Sequence, residues 1–350
     1  MKTYPLGLDI GSSTMKAVLF SGDEKSIALS VAMTVPTPPK GMVSEAPLDE
    51  EEMARAIAHL VAESKSNATT VNIALPENKV YTKVLDMPVL SDKELSSAIY
   101  WEAEQYIPVP LDTITLDWKV LKRPEKTDPA NKMQVLLVAA PTQLIEKYQK
   151  ILSLSGLTIT YIETEILSAI RALMFPYTQK KDALFPNTIV VNIGAMTTSV
   201  AIIKGGIIVF TYSVAIGGAA LNRAIAADFG FSLQQAEEYK KTYGISQQEL
   251  GGKISESAKP ILLSIVGEVK KAIAFYNDKY KNDALIQQVL LTGGSAKLPG
   301  IDSFFAQNIE IETATANPWN VLSNQQVPRE IIDNAADYTI AIGLALRAYE

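Results

Sequence analysis

Three short glycine-bearing stretches carry the side chains best suited to holding a polyphosphate. The first, "LDIGSSTMKAV", places Asp9, Gly11, Ser12, Ser13, Thr14 and Lys16 close together. The second, "VNIGAMTTSVA", repeats the pattern 183 residues later, with Asn192 at the place of Asp9, Gly194 at that of Gly11 and Thr197 at that of Thr14. The third, Thr292-Gly293-Gly294-Ser295, comes near the end of the chain. Gly11 and Gly194 let backbone N–H groups approach phosphate oxygens with no Cβ in the way. Hydroxyls of Ser12, Ser13, Thr14, Thr197 and Thr198 can donate to the same oxygens. Asp9 would be repelled by a polyphosphate unless a cation lay between, which makes it a ligand of Mg²⁺, direct or through water. Lys16 follows on the next strand, where it either reaches a phosphate or lies on the surface. Gly217-Gly218 reads as a further backbone approach to phosphate, and the third loop as room for a nucleoside. Two facing hairpins would then clamp a triphosphate between the halves of the chain. Any one loop is a weak signal, and three in this order are a much stronger one.

Composition narrows the chemistry. The 350 residues are 47% hydrophobic and 20% charged, with a net charge of −6 and no basic run to follow a nucleic-acid backbone. There is no cysteine, so disulfides, thiolate catalysis and cysteine-based zinc sites are excluded, and the single histidine, His59, reads as a surface or packing residue. The start lacks an apolar signal region, and no apolar run approaches the ~20 residues that span a bilayer. The expectation is a cytoplasmic protein without direct membrane insertion.

The elements that must position these loops alternate between strand and helix, which argues for an α/β class with helix-covered sheets. "LGLDIG" and "MKAVLF" read as a hairpin, followed by a strand at "SIALSVAMTVP". "PLDEEEMARAIAHLVAES" has acids in its first turn and Met53, Ile57, Leu60 and Val61 at helical spacing. "SDKELSSAIYWEAEQYI" opens with Ser91 and Glu94 in capping-box positions. Its apolar residues form no single stripe, so it is expected to pack on two sides, with Trp101 in the core. "RPEKTDPANK" reads as a polar hairpin loop, and "NTIVVNIG…IIVFTYSVAIGG" as the most strand-dense stretch, turned at Gly205-Gly206. The last segment, "AADYTIAIGLALRAYE", is a small-residue helix suited to close packing.

With these motifs in place, the sequence resembles the actin-like ATPase superfamily. The first phosphate loop corresponds to Asp9–Lys16, the second to Asn192–Ser199, and the adenosine motif to "VLLTGGSAKLPGI", which holds Gly293, Gly294, Ser295 and Lys297. "AEEYK" resembles the helix whose Glu and Lys reach ribose and base, which implies that Glu237 and Lys240 flank the nucleoside. Within the superfamily the chain is similar to the PilM family of type IV pilus assembly, above all in "MPVLSDKELSSAIYWEAEQYIPVPLDTITLDWKVL". The resemblance implies an α/β, actin-like fold of two duplicated domains around a nucleotide cleft. Residues 1–83 would begin domain I, 84–160 form an inserted α+β subdomain, 161–185 return to domain I, and 186–350 form domain II with a helical subdomain near 227–285. It implies ATP or ADP with Mg²⁺ as ligands. It also implies a scaffold that binds the N-terminal cytoplasmic tail of the membrane protein PilN in a groove between domain I and the insert, and that meets pilus motor components at the inner membrane. Self-association is a further implication. Asn192 departs from the Asp usual at its place, which implies binding with slow or absent hydrolysis. An FtsA-like division protein and a small-metabolite kinase of the same fold are the alternatives. The stop at "LALRAYE" counts against the first, and Asn192 and the insert against the second.

Overall fold

A computed structural model describes residues 4–24, 26–124, 132–178, 184–245, 252–281, 284–322 and 327–350. The hairpin loop expected at "RPEKTDPANK" falls mostly outside these residues.

The chain begins with β1 (Leu6–Ile10), β2 (Thr14–Ser21) and β3 (Ala28–Pro36), then α1 (Pro47–Glu63) and β4 (Thr70–Leu75). Next come β5 (Tyr81–Pro88), α2 (Asp92–Tyr106), β6 (Ile114–Lys122), β7 (Lys132–Pro141), α3 (Thr142–Leu154), β8 (Thr158–Thr164) and α4 (Glu165–Thr178). The second half holds β9 (Thr188–Ile193), β10 (Thr198–Lys204), β11 (Ile207–Val214), α5 (Gly218–Phe229), α6 (Leu233–Tyr243) and α7 (Lys253–Lys279). It closes with β12 (Gln288–Thr292), α8 (Ile301–Ile309), β13 (Glu312–Thr315), α9 (Arg329–Ile332) and α10 (Thr339–Leu346).

The repeat read in the sequence is a repeat of sheets. One runs β3-β2-β1-β4-β8 and the other β11-β10-β9-β12-β13, each with an antiparallel hairpin pair on one side and parallel strands on the other. All five residues of β1 and all six of β9 are buried, as central strands covered on both faces must be. Below the first sheet, Met53, Ile57 and Leu60 of α1 meet Leu6, Leu8 and Met15 together with Tyr148 and Ile151 of α3. In the second half α7 presents Leu262, Ile265, Val266 and Val269 to Ile189, Val191 and Val200.

The small-residue helix packs as closely as its composition predicts. A Cβ on Gly7 would lie 2.2 Å from the Ala341 carbonyl oxygen, and one on Gly343 would lie 1.8 Å from that of Ser168. These two glycines let α10 lie backbone to backbone against β1 on one side and α4 on the other.

Two expectations are corrected. α2 buries one stripe only, Leu95, Ile99 and Ala103, against Met133, Val135 and Leu137 of the three-stranded sheet β5-β7-β6. Trp101 comes two residues after Ile99, about 200° around the helix, and is 72% exposed. Helical periodicity, rather than side-chain size, decides which face is buried. In addition, α3 lies within the bounds expected for the insert yet packs with α1 on the first sheet, next to β8, which pairs with β4. Strand pairing across the molecule leaves no mark in local sequence texture.

Candidate functional site

In the first hairpin the ladder sets Asp9 opposite Lys16. Both are buried, at 5% and 7% exposure, so Lys16 is no surface lysine. Its Nζ donates to Thr14 Oγ1 at 2.8 Å and lies 3.7 Å from Asp9 Oδ2 and 3.9 Å from Asp337 Oδ1. Burial pushes the Asp9 carboxyl up from its ordinary value; the nearby Lys16 charge opposes this, and the Asp337 carboxylate adds to it. The loop is held from β3 and beyond: Thr37 Oγ1 donates to the Gly11 carbonyl at 2.6 Å and Thr37 N to the Ser13 carbonyl at 3.0 Å. A Cβ on Gly11 would be 2.7 Å from the Thr14 carbonyl oxygen, so glycine is needed to make this turn. Ser12 and Ser13 stand exposed at its tip.

The second hairpin has the same turn, with the Gly194 N–H donating to the Thr197 carbonyl at 2.9 Å. Its ladder sets Asn192 opposite Ser199. Asn192 Oδ1 and Ser199 Oγ are both buried and neither has a hydrogen-bond partner. Thr198 does not offer its proton to a ligand, because its hydroxyl donates to the Ile216 carbonyl at 2.7 Å. Gly217 and Gly218 serve a close approach within the protein. The Gly218 N–H donates to the Gly194 carbonyl at 2.9 Å, and a Cβ on Gly217 would lie 2.6 Å from that same oxygen.

Around the third loop, Gly293 has φ +85°, and a Cβ there would meet Asn192 Oδ1 at 2.6 Å. Ser295 Oγ and Lys240 Nζ both converge on Gly218, at 2.5 and 3.4 Å from where its Cβ would be. Glu237 and Lys240 pair at 2.6 Å, and Asn222 Nδ2 donates to the same Glu237 oxygen at 2.6 Å. Burial pushes Glu237 up, yet hydrogen bonds from Lys240, Lys241 and Asn222 together with the Lys240 charge hold it down at about 2. Lys240 is lowered by burial against the pull of Glu237. Lys297 donates to Asn334 Oδ1 at 2.8 Å and pairs with Asp337, while Gly294 lies directly against Asp337.

The structure therefore brings Asp9, Lys16, Gly11 and Thr14 together on one hairpin, and Asn192, Gly194, Gly218, Lys240, Gly293 and Ser295 together in the second half, with Asp337 between Lys16 and Lys297. It adds acids that spacing could not reveal. Asp337 is remote in sequence from Asp9 and belongs to a 3₁₀ turn, Ala335–Tyr338, just before α10. Glu77 is pushed up to about 7 by burial; Glu165 is pushed up to about 8 by burial and by the charges of Asp9 and Glu77. Among the described residues no group of three or more His, Cys, Asp or Glu could hold a metal on its own. The donor set nonetheless fits Mg²⁺ that keeps waters and phosphate oxygens as ligands: Asp9 offers a buried carboxylate and Asn192 an unpaired acceptor.

A groove of about 790 Å³ lies between the three-stranded sheet and α4 with β8. Leu121, Val138, Leu167, Ile170 and Met174 give it apolar walls. At one end Arg171 pairs with Glu163 and, at 2.8 Å, with Glu350, while Arg347 stacks over Tyr161 with 5.0 Å from its guanidinium carbon to the ring centroid. No helix among the described residues is long and apolar enough to cross a membrane.

Comparison with known proteins agrees with this architecture. A PilM-PilN type IV pilus biogenesis complex contains a chain superposing with a TM-score of 0.85 at 26% identity, over 100% of both chains. MreB 5 of Spiroplasma citri, bound to AMPPNP, gives 0.54 at 15% identity over 98% of this chain and 95% of its own, a likeness of actin-like fold alone. The cell division protein FtsA of Streptococcus pneumoniae is 23% identical over 339 residues, covering 84% of this chain and 71% of FtsA. The profile of the family described as type IV pilus assembly protein PilM matches residues 7–349, so the chain belongs to the PilM family.

Proposed function

We propose that the protein is a nucleotide-binding scaffold of type IV pilus assembly that turns nucleotide over slowly or not at all. It would hold ATP or ADP with Mg²⁺ between its two hairpins and carry the short cytoplasmic tail of a PilN-type membrane protein in the groove. The observation that carries this reading is the groove itself: an apolar trough beside a cluster of ion pairs, on a chain that superposes over its full length with a chain of a PilM-PilN complex. Lying between a sheet face and a helix, it suits an extended peptide whose apolar side chains would enter the walls and whose charged groups would meet Arg171, Glu163 and Arg347. Through that tail the protein would sit at the cytoplasmic face of the inner membrane, where motor components and further copies of the chain would meet it.

For the nucleotide, the hairpin turns supply backbone and Thr14 donors, and Lys16 a buried cation. Mg²⁺, when bound, would neutralise charge between Asp9 and the phosphates. Asn192 supplies a neutral acceptor at the mirror position, where a carboxylate would have helped hold the metal and orient water, which favours gripping over cutting. Glu237 and Lys240 would meet the nucleoside from α6.

The test is titration of a fluorescent PilN-tail peptide into the purified chain with and without Leu121→Glu. Saturable binding lost in the variant, with nucleotide affinity kept, supports the reading. A folded chain that ignores the peptide sinks it.

A further inference from the structure

Asp337 stands where the two halves of the molecule meet. Its Oδ1 faces Lys16 of β2 at 3.9 Å, and its Oδ2 takes Lys297, from the glycine loop after β12. Lys297 is held on a second side by Asn334. One carboxylate therefore ties the cation of the first sheet to the cation of the second. The backbone around it is fixed to both halves as well. The Ala336 carbonyl accepts from Gly293 N and from Thr292 Oγ1, each at 3.0 Å, and Thr292 Oγ1 also bonds Thr339 Oγ1 at 2.6 Å. On the other side Tyr338, Ala341 and Ala345 pack with Val18 and Phe20 of the first sheet.

Lys16 is an ammonium with a purpose left open. Its one hydrogen bond among the described contacts goes to Thr14, and both carboxylates lie beyond hydrogen-bond reach. An oxygen arriving from outside can take the remaining donors. A bare carboxylate beside a polyphosphate only repels it, so Asp337 is useful there through the cations it holds.

Resting on the nucleotide reading above, we propose that Asp337 is a positioning residue: it fixes Lys16 for the phosphates and makes that placement depend on Lys297 and the adenosine-side loop. The two ends of one nucleotide would then be sensed through a single ionic chain, Lys16–Asp337–Lys297.

The test has two arms on the full chain. In the first, ATP and adenosine affinities are measured by displacement of a fluorescent nucleotide in the wild type, Asp337→Asn, Lys297→Met and the double variant. Asp337→Asn should weaken ATP by about fivefold or more, the scale of one partly buried ion pair, while leaving adenosine within about twofold. Lys297→Met should weaken ATP in the wild-type background and add nothing in the Asp337→Asn background. Unchanged or tighter ATP binding in Asp337→Asn would make the carboxylate a mere repulsive neighbour and overturn the proposal, as would a Lys297→Met effect of equal size in both backgrounds. In the second arm, acetylation of Lys16 in nucleotide-free protein is followed by mass spectrometry, with exposed Lys241 as internal reference. Asp337→Asn should raise Lys16 labelling severalfold relative to Lys241, and equal labelling overturns the positioning role. A wild type that binds no ATP would end the nucleotide reading, while the labelling arm would still decide whether Asp337 holds Lys16.

Discussion

Asp9 and Asn192 occupy one position in two copies of the same hairpin, and their cross-strand partners differ in step with them. Asp9 faces Lys16, whereas Asn192 faces Ser199. The first hairpin holds a buried acid–cation pair, and the second a neutral pair whose Asn192 Oδ1 and Ser199 Oγ lack partners. The two hairpins are alike in backbone and unlike in charge.

That asymmetry predicts what limits turnover. Asn192→Asp is nearly isosteric and returns an acid to the second hairpin. It should raise Mg²⁺-dependent phosphate release from ATP by about tenfold or more, a barrier change of about 1.4 kcal/mol. Adding Asp9→Asn to that variant should abolish the gain. Brisk release by the wild type, or none gained by Asn192→Asp, would remove the explanation offered for slow hydrolysis.

Trp101 supplies a check on packing. At 72% exposure it contributes little to the core, so Trp101→Ala should change the unfolding free energy by no more than about 0.5 kcal/mol. A buried tryptophan truncated to alanine would cost about 3–5 kcal/mol. Urea denaturation separates the two outcomes.

The buried Glu77 carboxyl, 5% exposed, predicts a pH dependence. Its folded value of about 7 lies above its ordinary 4.5, so folding favours the protonated form. The stability it contributes is fully present below pH about 4.5 and is lost as pH rises through about 7. Glu77→Gln cannot ionise, so it should be more stable than the wild type at pH 8, by up to about 3 kcal/mol, and nearly equal to it at pH 4. Denaturation curves at the two pH values test this; a difference that does not grow with pH would refute it.

Gly343→Ala tests the seat of α10. A Cβ there meets the Ser168 carbonyl at 1.8 Å, and backbone cannot give way as a side chain tip can. The cost should reach the overpacking range of about 1–3 kcal/mol or exceed it. Gly267→Ala on α7, where a Cβ meets nothing within 4 Å, should be neutral or slightly stabilising. Similar melting points for the two variants would contradict the packing described.

Much of the fold was legible because it is written in local patterns. The glycine turns, the capping box at Ser91 and the apolar stripe Met53–Ile57–Leu60 each state a nearby backbone requirement, and each is met. The duplication was legible for the same reason, since two hairpins of one design carry the same small residues at the same spacing. The face of α2 was not, because Trp101 looks like core until a sheet is placed against Leu95, Ile99 and Ala103.

By itself, then, the sequence determined the two hairpin turns, their common design and the neutral Asn192 where the first hairpin has Asp9. Tertiary structure alone decided that Thr198 and Gly218 spend their donors inside the protein, that α3 packs with α1 on the first sheet, and that Asp337 joins Lys16 to Lys297. The physical reason is range. Turns, caps and helical stripes are set by residues a few positions apart, whereas a buried charge finds its partner only when distant strands and helices pack and exclude the water that would otherwise have served.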